Sequence, residues 1–196
     1  MDIDIRTLLG RLNPECKRAM TQAAERCVRQ THFNVEIEHL LSCLLDPLAP
    51  DLGLVLEQHG LKLETVQAQL QTAQEGFKRG NGRTPALSPH FAPWFQEAWL
   101  MSSMLLGEQQ VRSGTLLLAL LEVDSLRGVL IDSAPSLLDI PRGRLREQLP
   151  ALLAFFEGPA FAHHPAWRSC YCQHPLVDHR VVRWAERGAE ENRRDA

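Results

Sequence analysis

The feature that most constrains the fold of this chain is an internal repeat. The segment HLLSCLLD, which starts at His39, aligns with TLLLALLE, which starts at Thr115, and Leu occupies the same four positions in both copies. Upstream, Asn13-Pro14 aligns with Ser88-Pro89 in nearly the same register. Downstream, a third set follows in the same order: Leu61, Val66 and Leu70 align with Ile140, Leu145 and Leu149. A repeat of this length indicates two copies of one structural unit.

Each copy has a helical periodicity. Leu at positions i, i+1, i+4 and i+5 forms a broad apolar face on a short helix, and no sustained alternation typical of a strand is present. Asn13-Pro14 and Ser88-Pro89 each predict a helix start, with an N-cap residue followed by Pro at the first helical position. Each copy is predicted to contain a long helix, a short Leu-rich helix, a short segment and a closing amphipathic helix. Because one copy alone would expose its Leu face, we expect an all-α fold of two packed copies.

Composition changes along the chain suggest domain limits. Repeat one is assigned to residues 13–75 and repeat two to residues 88–157, joined by a linker at 76–87 that is rich in Gly, Pro, Asn and Arg. Residues 1–12 precede the repeats and carry a stripe of Ile5, Leu8, Leu9 and Leu12, which predicts an extra N-terminal helix lying against another surface. Together these parts form a predicted domain at 1–157. Residues 158–196 lack a sustained period and are expected to be an irregular or disordered tail.

The composition narrows the function classes. The chain has 196 residues, 44% of them hydrophobic, and a net charge of -3, without the basic patch typical of nucleic-acid binders. No apolar run reaches the length of a membrane span, and Asp2 and Asp4 do not fit the start of a signal peptide, so we expect a cytoplasmic protein without a membrane association. Three of the five cysteines, Cys16, Cys27 and Cys43, lie in apolar helical patterns and are expected to be reduced and buried.

The sequence shows no concentrated catalytic site. Gly82-Arg83-Thr84 in the linker lacks the Gly-Lys pair and the spacing of a phosphate-binding loop. No nucleophile elbow surrounds a Ser, Cys or Asp, and His39 at the edge of a Leu-rich helix is expected to be a capping or packing residue. The chain is therefore predicted not to be an enzyme and to use no cofactor.

Two further clusters have both a structural and a functional interpretation. On the second long helix, Phe91, Phe95 and Trp99 share one face. Trp94, Met101 and Met104 lie nearby on the same helix. We expect most of this face to be part of the core and the rest to be available to line a groove. The tail holds six residues of types that bind zinc: His163, His164, Cys170, Cys172, His174 and His179. Their C-x-C-x-H spacing is tighter than that of structural zinc sites, so no metal is predicted. A zinc-dependent regulatory protein remains an alternative that metal analysis would decide.

The repeat, together with its flanking segments, resembles a known family. The copies resemble the double repeat of Clp N-terminal domains, the adaptor- and substrate-binding modules of Clp/Hsp100 AAA+ unfoldases. The segments RTLLGRLNPECKRAMTQAAERC, LSPHFAPWFQEAWLMSS and VRSGTLLLALL look more narrowly like the N domain of ClpV (TssH), the unfoldase of bacterial type VI secretion. The likeness covers about residues 1–155 and does not extend into the tail.

The resemblance implies a binding site and a partner. In ClpV-type N domains an extra N-terminal helix precedes the double repeat, and a hydrophobic groove captures a short helix near the N-terminus of the sheath subunit VipB (TssC). Carried onto this chain, the groove is expected to be formed by Leu8, Leu9, Arg11, Leu12, Glu15, Cys16, Met20, Ala23, Leu87, Ser88 and Phe91. In the full-length family, a hexamer uses ATP to extract sheath subunits from contracted tubules for recycling.

The chain departs from the full-length family in one respect, since no Walker motif occurs in it. We therefore expect a recognition module that is a monomer in isolation: an isolated domain, a stand-alone paralogue or the remnant of a broken unfoldase gene. The alternative function is a general Clp-type N domain that binds another adaptor or unfolded segments.

Overall fold

The computed structural model describes residues 4–45 and 50–154, which are mainly helical with two strands of two residues each. The chain begins with α1 (Ile5–Arg11), and the first repeat follows with α2 (Pro14–Arg29), α3 (Ile37–Leu44), α4 (Pro50–Gln58) and α5 (Leu63–Glu75). Within these ranges no helix is both long and apolar enough to span a membrane.

The second repeat follows the same order. It contains α6 (Phe91–Met101), which continues into a π-helical turn (Ser102–Leu106), then α7 (Ser113–Glu122), α8 (Asp124–Ser133), a 3-10 turn (Pro135–Asp139) and α9 (Arg142–Ala154). The predicted all-α double repeat with an extra N-terminal helix is confirmed. The proposed domain limit at 157 and the tail at 158–196 lie outside the described residues.

The two predicted helix starts have different outcomes. Asn13 caps α2 as expected, because its side-chain oxygen accepts a hydrogen bond from the Cys16 N–H at 2.8 Å. The prediction for Ser88-Pro89 is wrong, since α6 begins later, at Phe91, and the Ser88 hydroxyl has no partner among the described residues. The Ser88 N–H donates instead to the Val35 carbonyl at 3.0 Å, which ties Ser88 to the first repeat. Tertiary pairing has overridden the local cap signal.

Two short parallel pairings join the repeats. In the first, β1 (Asn34–Val35) pairs with β2 (Ala86–Leu87), so the end of the predicted linker includes a short strand. In the second, Leu12 forms an isolated parallel bridge with Val111. These pairings are equivalent under the repeat, because Leu12 aligns with Leu87 and Val35 aligns with Val111. We call the segment before α3 the repeat-one junction and the segment before α7 the repeat-two junction.

The Leu-rich helices α3 and α7 occupy the core. The helix α2 packs against α3, and α6 packs against α7. The shared Leu positions of both helices are almost completely buried: Leu40, Leu41, Leu44 and Leu45 in the first copy and Leu116, Leu117, Leu120 and Leu121 in the second. Trp94 is also buried, and its indole N–H donates to the Leu116 carbonyl at 2.7 Å. Burial of apolar surface stabilises the fold by about 25 cal/mol per Å², so these two faces contribute substantially to stability.

The prediction that three cysteines are buried is also confirmed. Cys16, Cys27 and Cys43 are buried free thiols. Helix α4 ends at Gln58, and Gly60 adopts a left-handed conformation with φ of 68°, which is typical of a residue just past a helix end.

Candidate peptide-binding site

The residues of the predicted groove come from three parts of the chain. Leu8, Leu9 and Arg11 lie in α1, with Leu12 directly after it; Glu15, Cys16, Met20 and Ala23 lie in α2; Leu87 and Ser88 precede α6, and Phe91 begins it. Helix α1 packs against α6, and the Asp4 side chain caps it by accepting a hydrogen bond from the Arg6 N–H. The apolar stripe of the N-terminal segment therefore packs against the second repeat.

Burial separates these residues into two groups. Seven are buried in the core: Leu8, Leu12, Cys16, Met20, Ala23, Ser88 and Phe91. Leu9 and Glu15 are half-buried, whereas Arg11 and Leu87 are exposed. A helix docking on this surface would thus meet the side chains of Leu9, Arg11, Glu15 and Leu87, and the seven buried residues would form the floor below them.

Several apolar side chains on α6 and the turn after it are not fully buried. Trp99 is half-buried, and the Arg11 guanidinium lies 5.4 Å from the centroid of its ring, a geometry typical of a cation–π contact. Leu100 is 44% exposed and Met104 is 74% exposed. The sequence grouped Trp99 and Met104 with the aromatic face of α6. Their exposure depends on which neighbouring elements cover that face, and the helical period of the sequence does not predict those neighbours.

An electrostatic cluster lies next to Glu15. The Arg112 guanidinium makes a bidentate pair with Asp51, at 3.1 and 3.2 Å, and contacts Glu108 at 3.3 Å. Burial raises the pKa of Glu15, and the negative charge of Asp51 adds to that shift. Burial likewise raises the pKa of the Cys16 thiol, so this cysteine is a packing residue and not a nucleophile.

A cavity of about 250 Å³ lies at the repeat-one junction, and sequence reasoning missed it. Its walls come from the residues around β1 and the start of α3, from the segment after α5, and from His90 and Val129 in the second repeat. None of the predicted groove residues lines it. The residues that form the cavity are far apart in sequence, so no local motif predicts it.

Two buried histidines stand beside this cavity. The Glu36 N–H donates to His39 Nδ1 at 3.0 Å, and His39 Nε2 lies 2.9 Å from His32 Nδ1. Burial, together with the neighbouring His32, lowers the pKa of His39 to about 4. The prediction that His39 is a capping and packing residue is confirmed. The contact between His32 and His39 could not be predicted from the sequence, because a single His before a short strand is common.

No group of three or more His, Cys, Asp or Glu side chains within residues 4–45 and 50–154 could hold a metal ion. The six zinc-type residues of the tail lie outside the described residues.

Comparison with known proteins agrees with this architecture. The model of the Clp repeat (R) N-terminal domain family matches residues 11–131. The AAA+ ATPase ClpV1 of Pseudomonas aeruginosa is 29% identical over 123 residues, which are 63% of this chain and 14% of the relative. The chain thus spans about a seventh of the length of this curated relative, and the match lies in an N-terminal repeat domain and not in a catalytic ATPase module.

Two solved structures are similar over most of the described region. The N-domain of ClpV from Vibrio cholerae is 31% identical, with a TM-score of 0.64, covering 79% of this chain and 92% of that one. A ClpV N-domain in complex with a VipB peptide is 32% identical, with a TM-score of 0.61, covering 79% of this chain and 94% of that one.

Proposed function

Because the chain belongs to the Clp repeat (R) N-terminal domain family, we propose that it is a recognition module that binds the N-terminal helix of a type VI secretion sheath subunit of the VipB (TssC) type. The observation that carries this proposal is the likeness to a ClpV N-domain in complex with a VipB peptide, which extends over 94% of that domain. The bound helix would mark contracted sheath for disassembly and recycling.

The proposed site is the surface of α1 together with the start of α2 and the entry to α6. An amphipathic helix would place apolar anchors at i, i+3, i+4 and i+7 against Leu9 and Leu87. Arg11 and Glu15 would fix its register, since they provide opposite charges beside the apolar residues. The buried members of the predicted groove support this surface from below and keep α1 in place.

A site of this size supports modest affinity. At about 25 cal/mol per Å² of buried apolar area, a few anchors give micromolar binding after the ordering costs are subtracted. Weak binding by one domain suits a hexameric partner enzyme, because several N domains acting on one polymer gain avidity. The proposal therefore does not require a deep pocket at α1.

The role proposed for this chain is binding without catalysis. The chain matches a substrate-binding type of domain, so we propose that any ATP-driven extraction of sheath subunits is performed by ATPase modules joined to such a domain. We further propose that it acts in the cytoplasm and is a monomer in isolation. Light scattering at the concentrations used for binding measures the last point directly.

Binding can be tested with a fluorescent peptide copied from the N-terminal helix of the cognate sheath subunit. The wild-type protein should give a saturable change in anisotropy in the micromolar range. Leu9→Asp should remove it, because a carboxylate would then face the apolar anchors. Ile131→Asp is the matched control, since Ile131 is also an exposed aliphatic residue, at 61% exposure, but lies on α8.

Two results would contradict the proposed function. Absence of saturable binding below millimolar protein would remove the sheath helix as the partner. Equal loss of binding in Leu9→Asp and Ile131→Asp would remove α1 as the site. Circular dichroism of both variants checks that their helical content is intact.

A further inference from the structure

The left-handed residue at the end of α2 is a threonine. Thr31 has φ of 55°, a conformation that is strained for a β-branched side chain. The Thr31 N–H donates to the Val28 carbonyl, and the next N–H, of His32, donates to the Cys27 carbonyl. These two hydrogen bonds form a Schellman motif, in which glycine is the usual left-handed residue. The end of the helix alone therefore does not explain a threonine at this position.

The equivalent residue in the second repeat is a glycine. In the register that aligns His39 with Thr115, Thr31 corresponds to Gly107, which has φ of 68°. A Cβ atom at Gly107 would meet no other part of the described chain within 4 Å, so space does not exclude a side chain there. Both copies thus place a left-handed residue after their first long helix, and repeat one adds a side chain to it. The contacts of that side chain distinguish the two copies.

The Thr31 side chain contacts the linker between the repeats. Its hydroxyl accepts a hydrogen bond from the Gly80 N–H at 3.1 Å, and its carbonyl accepts one from the Asn81 N–H at 2.9 Å. The Asn81 side-chain amide donates to the His32 carbonyl at 3.1 Å, and its oxygen accepts from the Arg83 N–H at 2.9 Å. We call these hydrogen bonds the linker clasp, because they hold the linker against the end of α2.

The linker clasp lies shortly before β2. Residues 82–85 connect the clasp to β2, where the Ala86 N–H donates to the Phe33 carbonyl at 3.1 Å. Without the clasp, the free segment before β2 would begin where α5 ends, at Gly76. A longer free segment makes a pairing more costly to close in entropy, and β2 has only two residues. The clasp therefore helps to hold β2, and Leu87 with it, on repeat one.

The repeat-two junction is positioned by a helix instead. Leu12, which corresponds to Leu87, forms its bridge with Val111 directly after α1. Because α1 packs against α6, the segment that carries Leu12 is already held in place. Leu87 follows a linker and not a packed helix. The linker clasp thus supplies at the repeat-one junction the anchoring that α1 supplies at the repeat-two junction.

We propose that the linker clasp, through Thr31 and Asn81, positions Leu87 for the incoming sheath helix and so sets the affinity of the helix-binding surface. This inference rests on the proposed function, in which Leu87 is an apolar contact of the bound helix. Thr31 and Asn81 are positioning residues, because they act on the backbone that carries Leu87. When the clasp is open, only a fraction of the molecules presents Leu87 in place, and the apparent affinity falls by that fraction.

The test compares variants of the full chain in binding the fluorescent peptide of the sheath helix. Thr31→Gly removes the hydroxyl and also relieves the backbone strain. It should therefore weaken peptide binding about three- to tenfold, while the urea midpoint stays unchanged or rises. Asn81→Ala should weaken binding by a similar factor. Thr31→Ser keeps the hydroxyl and should bind like wild type. The matched control is Thr72→Ala, which should also bind like wild type, since the Thr72 hydroxyl donates to the Ala68 carbonyl within α5.

Amide hydrogen exchange, measured by NMR, reports on the positioning itself. The Ala86 and Ser88 N–H groups donate to carbonyls of repeat one, so they should be protected in the wild type. Thr31→Gly and Asn81→Ala should each speed their exchange severalfold, because β2 then opens more often. Amides in α7 should exchange as in the wild type, since the core helix does not depend on the linker.

The proposal is overturned if Thr31→Gly binds the peptide like wild type, or if exchange at Ala86 and Ser88 is unchanged in both variants. It is also overturned if Thr31→Ser loses as much affinity as Thr31→Gly, or if affinity falls only in proportion to the urea midpoint. Failure of the proposed function is a distinct result, in which the wild type itself does not bind the peptide. In that case the exchange of the two amides still decides whether the clasp holds β2.

Discussion

The two junctions between the repeats have the same backbone plan and opposite side-chain chemistry. In both, a parallel pairing precedes a Leu-rich helix, and the residue before that helix is held by the third helical residue, His39 in one copy and Thr115 in the other. At the repeat-two junction, Arg112 is closed into an ion-pair cluster. At the repeat-one junction, Glu36 borders an open cavity. One copy therefore closes this position with ion pairs, and the other leaves it beside a cavity.

A neighbouring position also differs between the two copies. Gly114 corresponds to Glu38 in the same register. A Cβ atom at Gly114 would lie 3.1 Å from a methyl carbon of Leu149 and 3.2 Å from one of Leu153. A side chain at this position of the repeat-two junction would therefore require Leu149 and Leu153 of α9 to shift by a few tenths of an ångström.

The largest expected effect comes from breaking the closed junction with Arg112→Ala. Asp51 is 2% exposed, so this substitution leaves a buried carboxylate without its cation. We expect a loss of about 3–5 kcal/mol in the free energy of unfolding, measured by urea denaturation. The control is Arg142→Ala, whose partner Asp124 is 93% exposed at 3.9 Å, and it should cost less than about 1 kcal/mol. Equal effects of the two variants would contradict a structural role for the closed junction.

A smaller effect is expected from pH at the open junction. The folded protein holds the pKa of His39 near 4, against 6.5 for the free side chain, so neutral His39 is favoured by folding. This contribution to stability is complete above pH 6.5 and is lost as the pH falls toward 4. Between pH 7.5 and pH 5 the loss is about 2 kcal/mol.

The measurement is urea unfolding of wild type and His39→Gln at both pH values. The raised pKa values of Glu15 and Glu38 act in the opposite direction in both proteins. The pKa of His32 is also lowered by burial, and its ring contacts His39, so the difference between the proteins reports on the histidine pair. A pH dependence that is unchanged by His39→Gln would show that the buried histidine pair does not titrate with folding.

The smallest change in stability is expected from Glu36→Gln, which removes the charge at the open junction. Glu36 is half-buried and forms no ion pair with another described residue, so the free energy of unfolding in urea should change by less than about 1 kcal/mol. A loss as large as that of Arg112→Ala would contradict the difference between the two junctions.

The sequence predicted the parts of the fold that depend on local pattern. Helical spacing of apolar residues indicates the Leu faces of α3 and α7 and the apolar stripe of α1. The N-cap at Asn13 is a local signal for the start of a helix. The start of α6 was misplaced because the Ser88 N–H is bound by the carbonyl of Val35, which belongs to the other repeat. A pairing between residues so far apart leaves no signal in the local sequence.

The candidate site was less predictable than the fold. Leu8 and Leu12 have the same hydrophobic character as Leu9, yet the first two are buried and Leu9 is half-buried. That difference is set by the position of α1 on α6, which is a tertiary property. The cavity at the repeat-one junction was missed for the same reason, since His32, Phe77 and His90 come together only after the repeats have packed.

The most direct test of the account is an NMR titration of the isotope-labelled full chain with the sheath-helix peptide. The peptide should shift amides in α1, early α2 and residues 87–91, and it should leave the amides of residues 36–38 and 77–78 unchanged. Shifts centred on the repeat-one junction, or no saturable shifts at all, would contradict the claim that the helix binds the surface of α1.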